Sequence, residues 1–161
     1  MRLTTQLLCD ILIHDLGLTN DQIWLYNQKQ DIPSGSGLFI SVGSMGVTTY
    51  GANRKIEGTT ERLSQMFQET INIEIYSNDT SALLALPNVV GAFGSTFSLQ
   101  TQEKYGFKIG SLPTTINDSS FLEATAILYR LSITIRVLRA YETQNDIEYF
   151  STFEEKVKTE I

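Results

Sequence analysis

Leu38-Phe-Ile-Ser-Val-Gly-Ser-Met-Gly-Val-Thr-Thr-Tyr50 and, after the segment Gly51-Ala-Asn-Arg-Lys-Ile-Glu-Gly58, the run Thr60-Glu-Arg-Leu-Ser-Gln-Met-Phe-Gln-Glu-Thr-Ile-Asn-Ile-Glu-Ile-Tyr-Ser77 read as two strands of one long hairpin. In the second limb Leu63, Phe67, Ile71, Ile73 and Ile75 share one side of a period-two pattern. Arg62, Ser64, Gln68, Thr70, Asn72 and Glu74 fall on the other. If Thr60 to Tyr76 is all strand, it spans roughly 55 Å at ~3.3 Å per residue. A compact chain of this length is only about 40 Å across by the scaling of radius of gyration with length. The hairpin 38–77 is therefore expected to protrude, with 51–58 as its tip. A protruding arm with open edges and a half-apolar face is a liability in water unless something covers it, which points to a subunit of an assembly.

Working outward, Leu3 to Leu16 predicts a helix closed by Gly17, with Leu18 packing back after the left-handed residue. Leu7, Leu8, Cys9, Ile11, Leu12, Ile13 and Leu16 cover more than half its circumference. The helix should thus be sandwiched in the core or share a second face with another subunit. Gln6, Asp10 and His14 are its polar face. Ile23 to Gln28 reads as a short strand and Gln30 to Gly37 as a loop. Alternation in the first limb of the hairpin is blurred at Gly43 and Gly46, where a bulge or bend is natural. Beyond the hairpin, Asn78 or Asp79 is a suitable N-cap for one longer central helix from about Thr80 to Gln102. Leu83, Leu86, Val90, Phe93 and Phe97 form its stripe. Pro87 lies inside that pattern and predicts a kink or restart, since an interior proline costs about 3 kcal/mol. Phe107 to Leu112 reads as a strand ended by Pro113, and Thr114 to Ser120 as a polar loop. Ala126 to Tyr141 is a second long strand with Ile127, Tyr129, Leu131, Ile133, Ile135 and Val137 on one face. The acidic tail 146–161 has room for one more short strand around Phe153 to Thr159. The expected fold is a single α+β domain over 1–161. Its mixed, mainly antiparallel sheet carries a protruding hairpin and is backed by an N-terminal helix and the central helix.

Composition narrows the function. The chain has 161 residues, 42% hydrophobic and 19% charged, which is ordinary for a globular domain. A net charge of −6 argues against a basic nucleic-acid-binding surface, though not against lining a passage that DNA must slide through. Cys9 is the sole cysteine, which excludes an internal disulfide. The apolar run Leu7 to Ile13 is interrupted by Cys9-Asp10 and predicts neither signal peptide nor membrane span. His14 is the only histidine, and its simplest reading is an exposed pair with Asp10 one turn earlier. No nucleophile elbow, metal-ligand spacing, P-loop or dinucleotide fingerprint is present, so no catalytic, metal or cofactor residues are expected. Arg54 and Lys55 are an exposed basic pair at the hairpin tip, suited by the arm geometry to an acidic neighbouring subunit, with a phosphate contact or a solvated tip as the alternatives. The arm surface expected to meet that subunit comprises Tyr50, Gly51, Asn53, Arg54, Lys55, Arg62 and Gln68.

Several segments together resemble one family. Gln22-Ile-Trp-Leu-Tyr-Asn-Gln28, Ile32-Pro33, Gly37-Leu-Phe-Ile-Ser-Val-Gly43 and Tyr50-Gly-Ala-Asn-Arg54 resemble the neck and tail-terminator proteins of long-tailed phages. So do Gln68 to Ser77, Gln102 to Ile109, Leu128 to Ile135 and Ile147 to Phe150, in order across about residues 22 to 150. The Ala/Leu/Gly-rich stretch Thr80 to Gln102 departs from the pattern. The resemblance implies a non-enzymatic structural protein, a ring of six subunits that caps the tail tube and joins it to the head-side connector. Its partners would be itself, the tail tube protein and the connector or stopper, with phage DNA passing through without specific binding. It would assemble in the host cytoplasm and reside at the virion's neck. A head-side stopper or connector adaptor is the rival within that class. A small ligand-binding domain, with Trp24, Tyr26 and Tyr129 lining a pocket, is the rival outside it.

Overall fold

The computed structural model describes residues 2–26, 37–111, 116–120 and 129–146. Helix α1 (Thr4–Leu16) leads through a short 3-10 turn, Asn20–Gln22, into strand β1 (Ile23–Leu25). Strands β2 (Phe39–Glu57) and β3 (Thr60–Ser77) form the hairpin, and helices α2 (Ser81–Ala92) and α3 (Thr96–Tyr105) follow. Strands β4 (Phe107–Ile109), β5 (Ile116–Asp118) and β6 (Tyr129–Asp146) complete a six-stranded sheet. Its order is β1-β2-β3-β6-β4, with β5 also on β6; β1 and β2 are parallel and every other pair is antiparallel. The class is α+β with a mixed, mainly antiparallel sheet, as the sequence pattern implies.

The core lies on one side of the sheet. Ile71, Ile73 and Ile75 of β3 face Ile135, Ile133 and Leu131 of β6 in register, and Ile40 and Val42 flank them from β2. All are buried, and Leu7, Leu8, Ile11 and Leu12 of α1 are at 0% exposure above them. α1 touches β1 and β2 as well as α2 and α3, which explains its wide apolar circumference without a second subunit. Gly17 ends it at φ +64, and the Leu18 amide donates back to the Ile13 carbonyl at 3.2 Å.

The structure corrects the central helix. α2 runs unbroken through Pro87, and the break falls at Phe93–Ser95, where α2 and α3 bend by 49°. Pro87 and Leu83 both lie on the exposed side, so the Leu83 carbonyl that loses its partner faces solvent. The break has its own cap: the Ser98 amide donates to Ser95 Oγ at 3.0 Å, which starts a fresh helix just after Gly94. Of the expected stripe, Phe93 is buried and Leu86, Val90 and Phe97 pack against the core, with Ala82, Val89 and Ala92 buried beside them; Leu83 is the exception and is exposed. At its start Thr80 is the N-cap, and Asp79 accepts from the Ser81 amide at 2.8 Å. Within the expected loop 114–120, residues Ile116–Asp118 form β5. The expected tail strand at Phe153 to Thr159 and the loop Gln30 to Ser36 lie outside the described residues.

Candidate interaction surface: the three-stranded arm

The hairpin turns later than its sequence implies. Gly51 to Glu57 is strand, paired residue by residue with β3, and the turn is made by Gly58 (φ +63) and Thr59 between Glu57 and Thr60. Nor is the arm a two-stranded ribbon. β6 runs beside β3 from Tyr129 to Asp146, along the whole length of that strand, so β3 is the middle of three long strands. Beyond Gly43 on β2, before Ile71 on β3 and after Arg139 on β6, no described residue of these strands is buried. The 18 residues of β3 span roughly 59 Å at ~3.3 Å each.

Two bulges shape the arm. The β2 register slips between Ser44 and Gly46 and again between Thr49 and Gly51, leaving Met45 and Tyr50 as the extra residues. The first slip turns Val47 and Thr49 onto the core side of the sheet; the second, at Gly51 with φ +146, returns Ile56 to that side. Gly46 and Gly51 thus sit where the ladder is irregular, which is why the alternation of the first limb is blurred, whereas Gly43 pairs in regular register with Asn72 and makes no bulge. The core-side face of the arm, here called its underside, carries Val47, Ile56, Leu63, Phe67 and Tyr141 in line with the buried isoleucines of the body. Phe67 and Tyr141 meet edge to face at 5.9 Å. The opposite face is polar, with Asn53, Lys55, Arg62, Ser64, Gln68, Glu142 and Gln144.

This geometry separates the expected interface residues. Asn53, Lys55, Arg62 and Gln68 share the polar face, and Asn53, Lys55 and Arg62 line a shallow depression of about 520 Å³ with Glu142 and Gln144. Arg54 lies on the underside, and Tyr50 projects from its bulge at 68% exposure. The basic pair at 54–55 already has acidic partners within its own chain: Arg54 is bonded to Glu61 and Lys55 to Glu57, the latter at 2.5 Å. Arg62 stands directly opposite Lys55 and makes no ion pair among the described residues. Nothing in the sequence distinguishes it from Arg54; only the register does.

At the root of the arm the N-terminus of α1 reaches the sheet. Thr4 Oγ1 donates to Glu69 at 2.9 Å, and Arg139 Nη1 donates to the Arg2 carbonyl at 3.1 Å. A groove of about 640 Å³ opens there, lined by Leu3, Val47, Phe67, Tyr141, Glu69 and Arg139 among others. Sequence reasoning missed these contacts, since 65 and 137 residues separate the partners.

The helix-free side of the body is a satisfied network. Trp24 stacks on Tyr76 with centroids 6.0 Å apart, and Arg130 bridges to both Glu74 oxygens at 3.2 and 3.1 Å. Tyr76 donates to Glu74, and Ser132 to Asn72 at 2.7 Å. Burial, then the bond to Glu74, pushes the Tyr76 phenol up to about 12. Of the three aromatics expected to line a pocket, Trp24 is buried in this stack and Tyr26 alone reaches the groove. His14 pairs with Asp15 at 2.7 Å and stacks on Phe97 at 3.7 Å, while Asp10 binds Arg2 at 2.5 Å, so the expected His14–Asp10 pair is absent. Cys9 is partly buried beside the core, as expected for a packing residue, and burial raises its thiol to about 12. No three metal-ligating side chains come together among the described residues, and no single described helix is long and apolar enough to cross a membrane. Compared with protein-family models and with curated proteins, the chain matches none.

Proposed function

We propose that this chain is a non-enzymatic structural protein of a phage neck, a tail terminator whose copies form a ring, capping the tail tube and joining it to the head-side connector. The observation that carries the self-assembly part is the arm. Three strands leave the packed body with Val47, Ile56, Leu63 and Phe67 on one face beside the Arg54–Glu61 pair, and these apolar side chains gain stability when another molecule covers them. The assignment to a phage neck rests on the ordered resemblance of residues 22 to 150, and the stopper or adaptor of the head side is its rival in class. A ring of head-to-tail contacts ends a tube if one ring face copies the tube's own binding surface and the other does not. The net charge of −6 keeps DNA from adhering to such a ring.

The groove at the root of the arm favours a second reading, a ligand-binding domain, because it is concave and combines apolar walls with Glu69 and Arg139. One experiment separates the two. Purified protein imaged by negative stain, alone and with tail tubes, is expected to give rings that sit on tube ends. A monomer by native mass spectrometry that leaves tubes unchanged would overturn the terminator reading.

A further inference from the structure

We propose that the underside of the arm is covered by the outer surface of α2 and α3 from a second copy of this chain. The inference rests on the self-assembly reading above and names the two surfaces that meet. In the body, the core side of the sheet is roofed by helices; along the arm, the same side continues with Val47, Ile56, Leu63 and Phe67, beside the Arg54–Glu61 pair, and no helix among the described residues lies over its outer part. A sheet face of this kind is stabilised by a helical layer with an apolar surface. The chain owns one. Leu83 and Leu84 on α2 and Leu99 on α3 are 43%, 74% and 58% exposed, on helices whose other sides already pack on the body. These leucines are the apolar side chains that a partner surface would cover.

The two surfaces cannot meet within one molecule. The inner side of α2 rests on β3 and β6, so Leu83 and Leu84 point away from the sheet of which the arm is the continuation. Reaching the arm's underside in the same chain would require unpacking α2 from the core. In two copies no rearrangement is needed: one copy supplies a sheet face without helices, its neighbour helices without a second sheet.

The contact is large enough to matter when repeated. Three strands ~4.8 Å apart and about ten residues long present roughly 450 Å² to a partner, or about 900 Å² counting both sides, short of the roughly 1,000 Å² that one specific interface needs by itself, so the contact holds only through repetition. Because the surfaces differ, the contact is heterologous, and each copy makes it twice, once as arm and once as helix pair. Repetition closes into a ring or continues as a filament, according to the rotation at each step.

The test uses differently tagged full-length proteins in a Cys9→Ala background. One carries Val47→Cys or Ile56→Cys, the other Leu84→Cys, and mixtures are oxidised under native conditions. Disulfide-linked heterodimers joining arm to helix are the expected product, from at least one of the two arm positions. Arm-to-arm or helix-to-helix products alone would overturn the proposal. A second variant, Leu83→Asp with Leu84→Asp, alters exposed positions and is expected to keep the wild-type circular dichroism spectrum and convert the oligomer to monomer. Should that variant still assemble, the helix surface is not the partner, while the self-assembly reading stands. If the wild-type chain is itself monomeric, both fall together.

Discussion

The ring of Tyr26 lies across Gly43, in the space that a β-carbon at Gly43 would occupy. Gly43 is the last buried residue of β2, so this contact clamps the end of β1 onto the sheet just where the body gives way to the arm. The Tyr26 hydroxyl then receives the Asn72 side-chain amide at 2.6 Å. Gly43→Ala is expected to displace the ring and break that bond, costing about 1–3 kcal/mol in urea unfolding as overpacking does. Adding Tyr26→Ala to the same chain removes the overlap. If the first substitution proves neutral, the clamp has no energetic weight.

Cys9 offers a probe of the seam between α1 and the other helices. Its thiol is raised to about 12, chiefly by burial and further by the Asp10 charge. Only the thiolate reacts, so at pH 8 the folded protein is expected to be alkylated at least about a hundredfold more slowly than in denaturant. Equal rates in the two conditions would mean that the helix is not seated as described.

Alkaline pH should loosen the helix-free face. The Tyr76 phenol ionises near pH 10 when the chain is unfolded and near 12 when folded, because burial and the Glu74 carboxylate oppose its charge. A group whose folded value is raised contributes its full stability below the unfolded value. That contribution is lost progressively from about pH 10 to 12. Tyr26 is raised for the same first cause, burial, with Glu74 next, and adds to the slope. Melting temperature is therefore expected to fall across this window, less steeply in Tyr76→Phe. An unchanged slope in that variant would show that Tyr76 is not the titrating group.

Much of this fold was legible because period-two and helical patterns report burial directly. The isoleucine run 71–75, the isoleucines 133 and 135, and the Gly17 cap each declare a face or an end. What failed was whatever depends on register. Gly51 to Glu57 has turn-like composition yet is strand, because Gly51 serves a bulge and Gly58 makes the turn. The third strand of the arm was hidden for the same reason: Glu142 to Asp146 has no strand propensity of its own and is held by pairing with Thr60 to Ser64. At Pro87 the interior penalty was read correctly but placed wrongly, since an exposed carbonyl at Leu83 lets the helix continue and Ser95 supplies the restart. The division of the expected interface residues between two faces was not legible either, because two bulges reverse the parity of β2 between them.

The turn gives a local check on that register. Gly58 at φ +63 holds a conformation that an alanine adopts only with strain. Gly58→Ala is expected to cost about 1 kcal/mol, read as a lower urea midpoint, whereas alanine at Asn53 on the exposed polar face should stay within about 0.5 kcal/mol. Were the turn at 51–53 instead, the order of the two effects would reverse.

Arg62 separates folding from assembly most sharply. It stands directly across from Lys55, a like-charged pair on adjacent strands, and makes no ion pair among the described residues. Such a pair opposes the folded chain by roughly 0.2–1 kcal/mol. Arg62→Glu removes that repulsion but sets a carboxylate diagonally across from Glu57, Glu142 and Asp146 on the same face, so the stability of the isolated chain is expected to change by no more than about 0.5 kcal/mol. If a neighbouring subunit supplies an acidic group to Arg62, the same change weakens assembly, and sedimentation velocity would show a shift toward monomer at equal concentration. A chain of nearly unchanged stability that assembles less well is the expected combination, since it ties Arg62 to a contact outside its own fold. Assembly undiminished by the reversal would place Arg62 outside any contact between copies.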